Sequence, residues 1–334
     1  MTPTASNQIL AEGKTKVLRP GEQPEEVRVT FKDAATAFNG EKFQEIPGKG
    51  TLNARISAIL FELLNQQGIP TCFVGKGASE NELIYRNLAM IPLEVVIRNF
   101  AYGSVVKRFK FEEGMAFKKP LIEFFYKSDD AGDPQLTDEM IDELSILPAE
   151  ANLDAIKLLA FQVNEVFLNY FKAINVRCAD FKLEVGLDKS GNLMLGDELS
   201  PDNFRFRDAD TGQVMDKDAF RFDLADLTES YQELLRRLEG HPGVPDTSGL
   251  SNAYMASIRV QSRKNILNPE SKTILNALHT MGYASVQELR AGKEFSLKLT
   301  ASSLIEAEKQ IKTIGEDILS NPVIEDYSYI LRLA

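Results

Sequence analysis

A chain of 334 residues, 43% hydrophobic and 26% charged, has the composition of an ordinary soluble globular protein and exceeds one typical domain. Its net charge of −11 argues against a nucleic-acid binder, although local basic clusters can still line a pocket for a small anion. Two cysteines without metal or redox spacing, two histidines, no leader-like start and no apolar run near the ~20 residues of a membrane span predict a cytoplasmic protein that works with carboxylates, lysines and arginines.

The chain opens with antiparallel strands around Ile9–Leu10, Lys16–Leu18 and Val27–Phe31. Gly13-Lys14-Thr15 is not a P-loop, because Gln8 stands where the first glycine belongs and a strand follows instead of a helix. A glycine turn with two lysines can lie over phosphates or can be a hairpin with solvated lysines, and both readings stay open. Residues 39–50 read as a Gly/Lys-rich loop, and Thr51–Gln67 as a helix with Ile56, Ile59, Leu60, Leu63 and Leu64 on one face. Short strands follow at Ile69–Val74, Glu82–Asn87 and Leu93–Arg98. Ser104 is placed to cap a helix reaching Glu112, so that Arg98, Ser104 and Lys107 form a candidate phosphate cradle, with a plain cap as the simpler alternative.

After a polar loop at 127–134, helices are expected at Thr137–Ser145 and Asn152–Ile174. Arg177–Arg207 reads as a hairpin in which Phe181, Leu183, Val185 and Leu187 alternate with Asp180, Lys182, Glu184 and Gly186. A two-residue turn at Ser190-Gly191 puts Glu184 opposite Asp197. Opposed carboxylates repel, and a divalent cation bound with substrate phosphate would make that pairing favourable. The alternative is a solvated hairpin face whose register is off by one residue. A helix capped by Asp218 and running to Leu238 precedes the Pro/Gly/Ser-rich stretch from Gly240 to Asn252, the best domain boundary.

The tail reads β (Tyr254–Gln261), α (Pro269–Met281), β (Val286–Arg290), β (Glu294–Leu299), α (Ser302–Leu319), β (Asp326–Leu331), the βαββαβ order of ferredoxin-like modules. From Tyr254 onward it holds 10 Lys/Arg against 9 Asp/Glu, so nearly all the negative charge belongs to the first domain. The tail displays no acid pair, glycine loop or nucleophile–base set, which suits a structural or partner-binding module.

Taken together, AEGKTKVL, FNGEKFQEIPGKG, GIPT, MIPLEVVIRNFAYGSVVKRF, DFKLEVGL and GDELSPDNFRF resemble phosphoribosylaminoimidazole-succinocarboxamide (SAICAR) synthetase over about residues 8–240. The resemblance implies a two-lobed α/β ligase domain that joins L-aspartate to carboxyaminoimidazole ribonucleotide with ATP and Mg²⁺. It implies Lys14, Lys16 and Met90 at the nucleotide, Glu184 and Asp197 as metal ligands, and Arg98, Ser104, Lys107 and Arg205 at the ribonucleotide. Lys182 would neutralise the reacting carboxylate, while Asp180, Asp202, Lys127 and Asp133 would lie near the aspartate or the transfer step. The tail, through YMASIRVQSRKNILNPES and LSNPVIEDYSY, resembles the small subunit (PurS type) of phosphoribosylformylglycinamidine (FGAM) synthase, which implies a non-catalytic, oligomer-forming unit that meets the large and glutaminase subunits. Asn268 and Ser271 replace the more usual Asp and Gly there. The expected division is a ligase domain at 1–240, a linker at 241–253 and an accessory module at 254–334. Two rival readings are a small-molecule kinase and an assembly subunit with an inactive ligase domain.

Overall fold

A computed structural model describes residues 8–37, 41–241, 243 and 251–334, so most of the stretch expected as linker lies outside the described residues. The chain divides into two compact units, Met1–Pro245 and Asp246–Ala334.

The first unit is built on two sheets. One is five-stranded, from β1 (Ala11–Glu12), β2 (Lys16–Pro20), β3 (Glu26–Phe31), β6 (Phe73–Lys76) and β7 (Glu82–Arg86), in the order β1-β2-β3-β7-β6. Val27, Val29 and Phe31 alternate inward along β3 and are buried beside helix α1 (Lys49–Gln66), as period-two patterning requires. The expected loop 39–50 is partly strand: β4 (Ala34–Ala37) pairs with β5 (Lys42–Glu45).

The second sheet carries most of the candidate site residues. It runs β10 (Gln135–Leu136), β9 (Ala116–Tyr126), β8 (Ala89–Phe100), β11 (Val176–Leu187), β12 (Leu193–Gly196), and β13 (Phe204–Asp208) also pairs with β11. One face packs on helix α4 (Leu153–Ala173), capped by Asn152, whose side chain accepts from Asp154 N at 2.7 Å. Phe167 and Phe171 of that helix meet Phe181, Phe204 and Phe206 at centroid distances of 4.7–6.4 Å. Buried Asn99 and Asn164 exchange hydrogen bonds of 2.8 and 3.0 Å across the same interface, so no amide is left unpaired there. The two sheets join at a parallel bridge between Thr71 and Leu195, with Cys72 N donating to Leu195 O at 2.7 Å. Both cysteines are buried thiols.

Three further expectations are corrected in this unit. Helix α2 (Ser104–Phe109) has Gly103 at its N-cap, so Ser104 is the first helical residue and not the cap. The helix expected from Asp218 to Leu238 is two: α5 (Asp218–Arg221) and α6 (Leu227–Glu239), the second capped by Asp226, which accepts from Glu229 N at 2.9 Å. Asp218 does not cap, because its carboxylate is taken by arginines. The hairpin turn has three residues, not two. Asp188 N donates to Asn192 O at 3.0 Å and Gly191 sits at φ 80°, which pairs Glu184 with Gly196 and moves Asp197 one place beyond the strand.

In the second unit β14 (Asn252–Ser262) lies between β15 (Gly292–Ala301) and β16 (Glu325–Leu333), and all pairing is antiparallel. Helix α8 (Leu304–Ile314), capped by Ser303, buries Leu304, Ala307 and Ile311. Helix α7 (Pro269–Thr280) starts as expected, with Asn268 Oδ1 accepting from Ser271 N at 3.1 Å. The strand expected at Val286–Arg290 is absent, so the order among the described residues is βαβαβ. Its two apolar residues, Val286 and Leu289, are three apart instead of alternating, and Val286 O is held by His279 Nε2 at 2.8 Å.

Candidate functional site

Strand β11 presents Asp180, Lys182 and Glu184 on the face turned away from α4, and β8 sets Arg98, Val96 and Glu94 opposite them. The row spans about 13 Å at ~3.3 Å per residue. Its two ends differ in charge logic.

At one end Glu184 faces Glu94 directly, so the opposed carboxylates expected from the sequence exist but with Glu94, not Asp197, as the partner. Lys182 Nζ lies between them, donating to Glu94 Oε1 at 2.6 Å and Glu184 Oε1 at 3.2 Å, and Lys127 pairs with Glu184 from outside. Asp197 adopts φ 59° just past β12, where its carboxylate pairs with Lys16. The same ammonium reaches Glu198 Oε1 at 2.9 Å. Burial would disfavour each of these charges alone. Asp197 and Glu198 hold the Lys16 ammonium above its ordinary value, and Lys16, Lys182 and Lys127 hold Asp197 well below the carboxylate range. Burial likewise opposes the Lys182 charge, which Glu184, Glu94 and Asp197 restore and raise. Glu184 and Asp197 thus share one set of lysines despite the shifted register. Met90, half exposed, lies over this end. A Cβ at Gly196 would come within 2.9 Å of its Cε, the free end of that side chain.

At the other end Asp180, 4% exposed, binds two guanidinium groups. Arg205 Nη1 donates to both its oxygens at 2.9 and 3.1 Å, and Arg98 Nη1 at 3.2 Å. Burial nevertheless pushes its pKa up, against the pull of Arg205 and Arg98. Arg98 Nη2 donates to Ser104 Oγ at 3.2 Å, and its Nε pairs with Glu123, which also holds Arg108. Asp218 receives Arg205 Nε at 3.0 Å and Arg207 Nη2 at 3.2 Å and pairs with Arg221, while Asp216 pairs with Arg207. Gly103, at φ 64°, passes so close to Arg205 that a Cβ would lie 2.7 Å from Nη2.

Asp202 belongs to a third group. It accepts from Lys49 Nζ at 2.6 Å and from Tyr231 OH at 2.6 Å; Lys49 is 1% exposed. Lys49 and Ser57 share one stripe of α1, and Ser57 Oγ accepts from Leu199 N at 3.2 Å, so α1 holds the Ser200–Asn203 turn. Asn53, on the same stripe, is buried, and its Oδ1 has no hydrogen-bond partner among the described residues.

The structure therefore brings together Lys16, Lys127, Lys182, Glu184 and Asp197, and separately Arg98, Ser104, Asp180 and Arg205. Lys14 is exposed in the β1–β2 turn, Lys107 is exposed on α2, and Asp133 accepts from Ser128 N in its own loop. Sequence reasoning missed Glu94, Glu123, Lys49, Glu198, Asp216, Asp218 and Tyr231. Glu94 alone had a signal, its period-two spacing from Arg98. Among the described residues no cluster of three acidic or metal-type ligands exists. Magnesium usually takes one or two carboxylates plus phosphate oxygens, and Glu184 with Asp197 could supply that set.

Among known families, the SAICAR synthetase model matches residues 9–238 and the PurS model, described as phosphoribosylformylglycinamidine (FGAM) synthase, matches 255–332. A phosphoribosylaminoimidazole-succinocarboxamide synthase of Lysinibacillus sphaericus is 48% identical over 233 residues, 70% of this chain and 98% of the relative. A solved SAICAR synthetase in complex with ADP superposes with a TM-score of 0.66 at 42% identity, covering 71% of this chain and 99% of the other. The Ehrlichia chaffeensis phosphoribosylaminoimidazole-succinocarboxamide synthase gives 0.67 at 38%, covering 71% and 100%.

Proposed function

The chain belongs to the SAICAR synthetase family, and from that membership we propose that its first unit joins L-aspartate to carboxyaminoimidazole ribonucleotide, converting ATP to ADP and phosphate. The observation that supports this most is the single sheet face carrying an arginine end (Arg98, Asp180, Arg205) and a lysine–carboxylate end (Lys182, Glu94, Glu184) about 13 Å apart. The arginine end, with Ser104 and then Lys107, binds the ribose phosphate through charge-assisted donors. Lys14 and Lys16 meet the ATP phosphates, with Met90 beside the base. Glu184 and Asp197 would hold a magnesium ion, which would supply charge neutralisation during phosphoryl transfer. Lys182 offsets charge on the carboxylate as it is converted to an acyl phosphate, and the aspartate amine then displaces phosphate to form the amide. Lys127, Asp133 and Asp202 stand near the aspartate or the transfer step, and Asp180 orients the arginines.

The second unit we read as an accessory module that meets the large and glutaminase subunits of FGAM synthase and supports a homo-oligomer in the cytoplasm. Among the described residues no helix is long and apolar enough to cross a membrane.

Purified protein given carboxyaminoimidazole ribonucleotide, aspartate and Mg-ATP should release ADP only when all are present. ADP release without aspartate would favour the kinase reading, and none at all would favour an inactive ligase domain.

A further inference from the structure

Arg205 and Arg207 share one side of β13, while Phe204 and Phe206 fill the core on the other. One oxygen of Asp218 joins the two arginines, accepting from Arg205 Nε at 3.0 Å and from Arg207 Nη2 at 3.2 Å. Arg207, 6% exposed, also pairs with Asp216 and donates from Nη1 to Phe206 O at 2.8 Å. With its edge so engaged, the guanidinium lies over the ring of Tyr102, Cζ 4.9 Å from the centroid. A desolvated guanidinium is attracted to an aromatic face, and its planar shape suits that stack as an ammonium does not.

Tyr102 belongs to the short link between β8 and α2. Ala101 before it is fixed by backbone bonds, its N donating to Met115 O and its O accepting from Gly114 N, both at 2.8 Å. Gly103 after it is the N-cap of α2, with φ 64° and no side chain to cap with. The stack of Tyr102 on Arg207 therefore ties the start of α2 to β13. That start is where the arginine end converges. Arg98 Nη2 donates to Ser104 Oγ at 3.2 Å. Asp218 and Asp180 take Nε and Nη1 of Arg205, and its Nη2 is turned to Gly103, where a Cβ would lie 2.7 Å away.

We propose that Tyr102 is a positioning residue for the ribonucleotide. Through Arg207 and the shared Asp218 oxygen it keeps Ser104 and Arg205 at the spacing that one phosphate group needs. The inference rests on the ligase reading above. The lysine–carboxylate end shares none of these side chains, so nucleotide binding is independent of the stack.

Steady-state kinetics of the full chain test this. In Tyr102→Leu, KM for carboxyaminoimidazole ribonucleotide should rise about 5- to 30-fold, the size expected for losing a desolvated cation–π contact. KM for ATP and for L-aspartate should move less than about threefold, and Tyr102→Phe, which keeps the ring, should recover most of the loss. An unchanged ribonucleotide KM, an equal rise for all three substrates, or a Tyr102→Phe as impaired as Y102L overturns the assignment. Should Y102L not fold, equilibrium dialysis of labelled ribonucleotide against Tyr102→Met, which fills the space without a ring face, replaces it. Weakened binding supports the inference and wild-type binding overturns it. A wild-type chain without ribonucleotide-dependent ADP release would remove the ligase reading itself, whereas an active wild type with an indifferent Y102L removes only this inference.

Discussion

Asp180 is a positioning residue: it lies under two arginines and its own oxygens are used up by them. Asp180→Asn should raise KM for the ribonucleotide and lower stability by about 3–5 kcal/mol in urea unfolding, because two buried guanidinium groups lose their shared counter-charge. Glu184→Gln and Asp197→Asn should each abolish turnover while leaving circular dichroism unchanged; activity surviving in both would remove the metal assignment. Asp202 gives a pH prediction. Burial would raise its pKa, but Lys49, Lys217 and the Tyr231 hydroxyl hold it well below the usual carboxylate range. Its folded-state value is thus depressed, and its contribution to stability is present above about pH 4 and lost as pH falls further. Wild type and Asp202→Asn should therefore differ at pH 7 and converge towards the acid limit. Of these residues, Asp180, Glu184 and Asp197 stand out in the sequence because they alternate or cluster near a turn. Lys49 and Tyr231 do not, since their partner Asp202 is 153 and 29 residues away.

Elements differ in how much local sequence decides them. Helix α4 and its Asn152 cap follow from patterning and capping, and both are formed. The hairpin does not, because a turn of two or three residues fits Asp188–Asn192 equally well until the Asp188 side chain is seen accepting from Ser190 N and Asn192 N, each at 2.8 Å. Strand β9 is hidden by Lys118-Lys119-Pro120 near its start, which fall in the irregular stretch between Ala116 and Leu121, and tertiary pairing of 121–126 with β8 is what makes the strand. The break after α5 falls where Asp223 adopts φ 53° and Asp226 caps α6. Gly103 ties α2 to Arg205. Gly103→Ala should cost about 1–3 kcal/mol for its strained backbone and should displace Arg205, raising KM for the ribonucleotide while leaving KM for ATP near wild type.

For the whole chain, relatives covered over 96–98% of their own length match 232–233 residues here, so the first unit corresponds to proteins that exist without the second. Residues 1–245 alone should keep aspartate-dependent ADP release within about twofold of the full chain. In a pull-down, residues 250–334 and not 1–245 should capture the large subunit of FGAM synthase, and capture by the first fragment alone would refute the division of labour. The order of the units was legible from the Pro/Gly/Ser-rich stretch and from where the acidic excess stops. The missing strand at Val286–Arg290 was not, because its contacts are made with α7 and β14 rather than with a sheet edge.

On β11 the even-numbered side chains from 180 to 184 line the candidate site and the odd-numbered ones from 181 to 185 build the core against α4. Parity therefore separates the face of this segment that carries the charged row from the face that carries the aromatic core. Deleting a single residue within it would exchange the two sets, sending carboxylates into the aromatic layer and phenylalanine into the substrate's path.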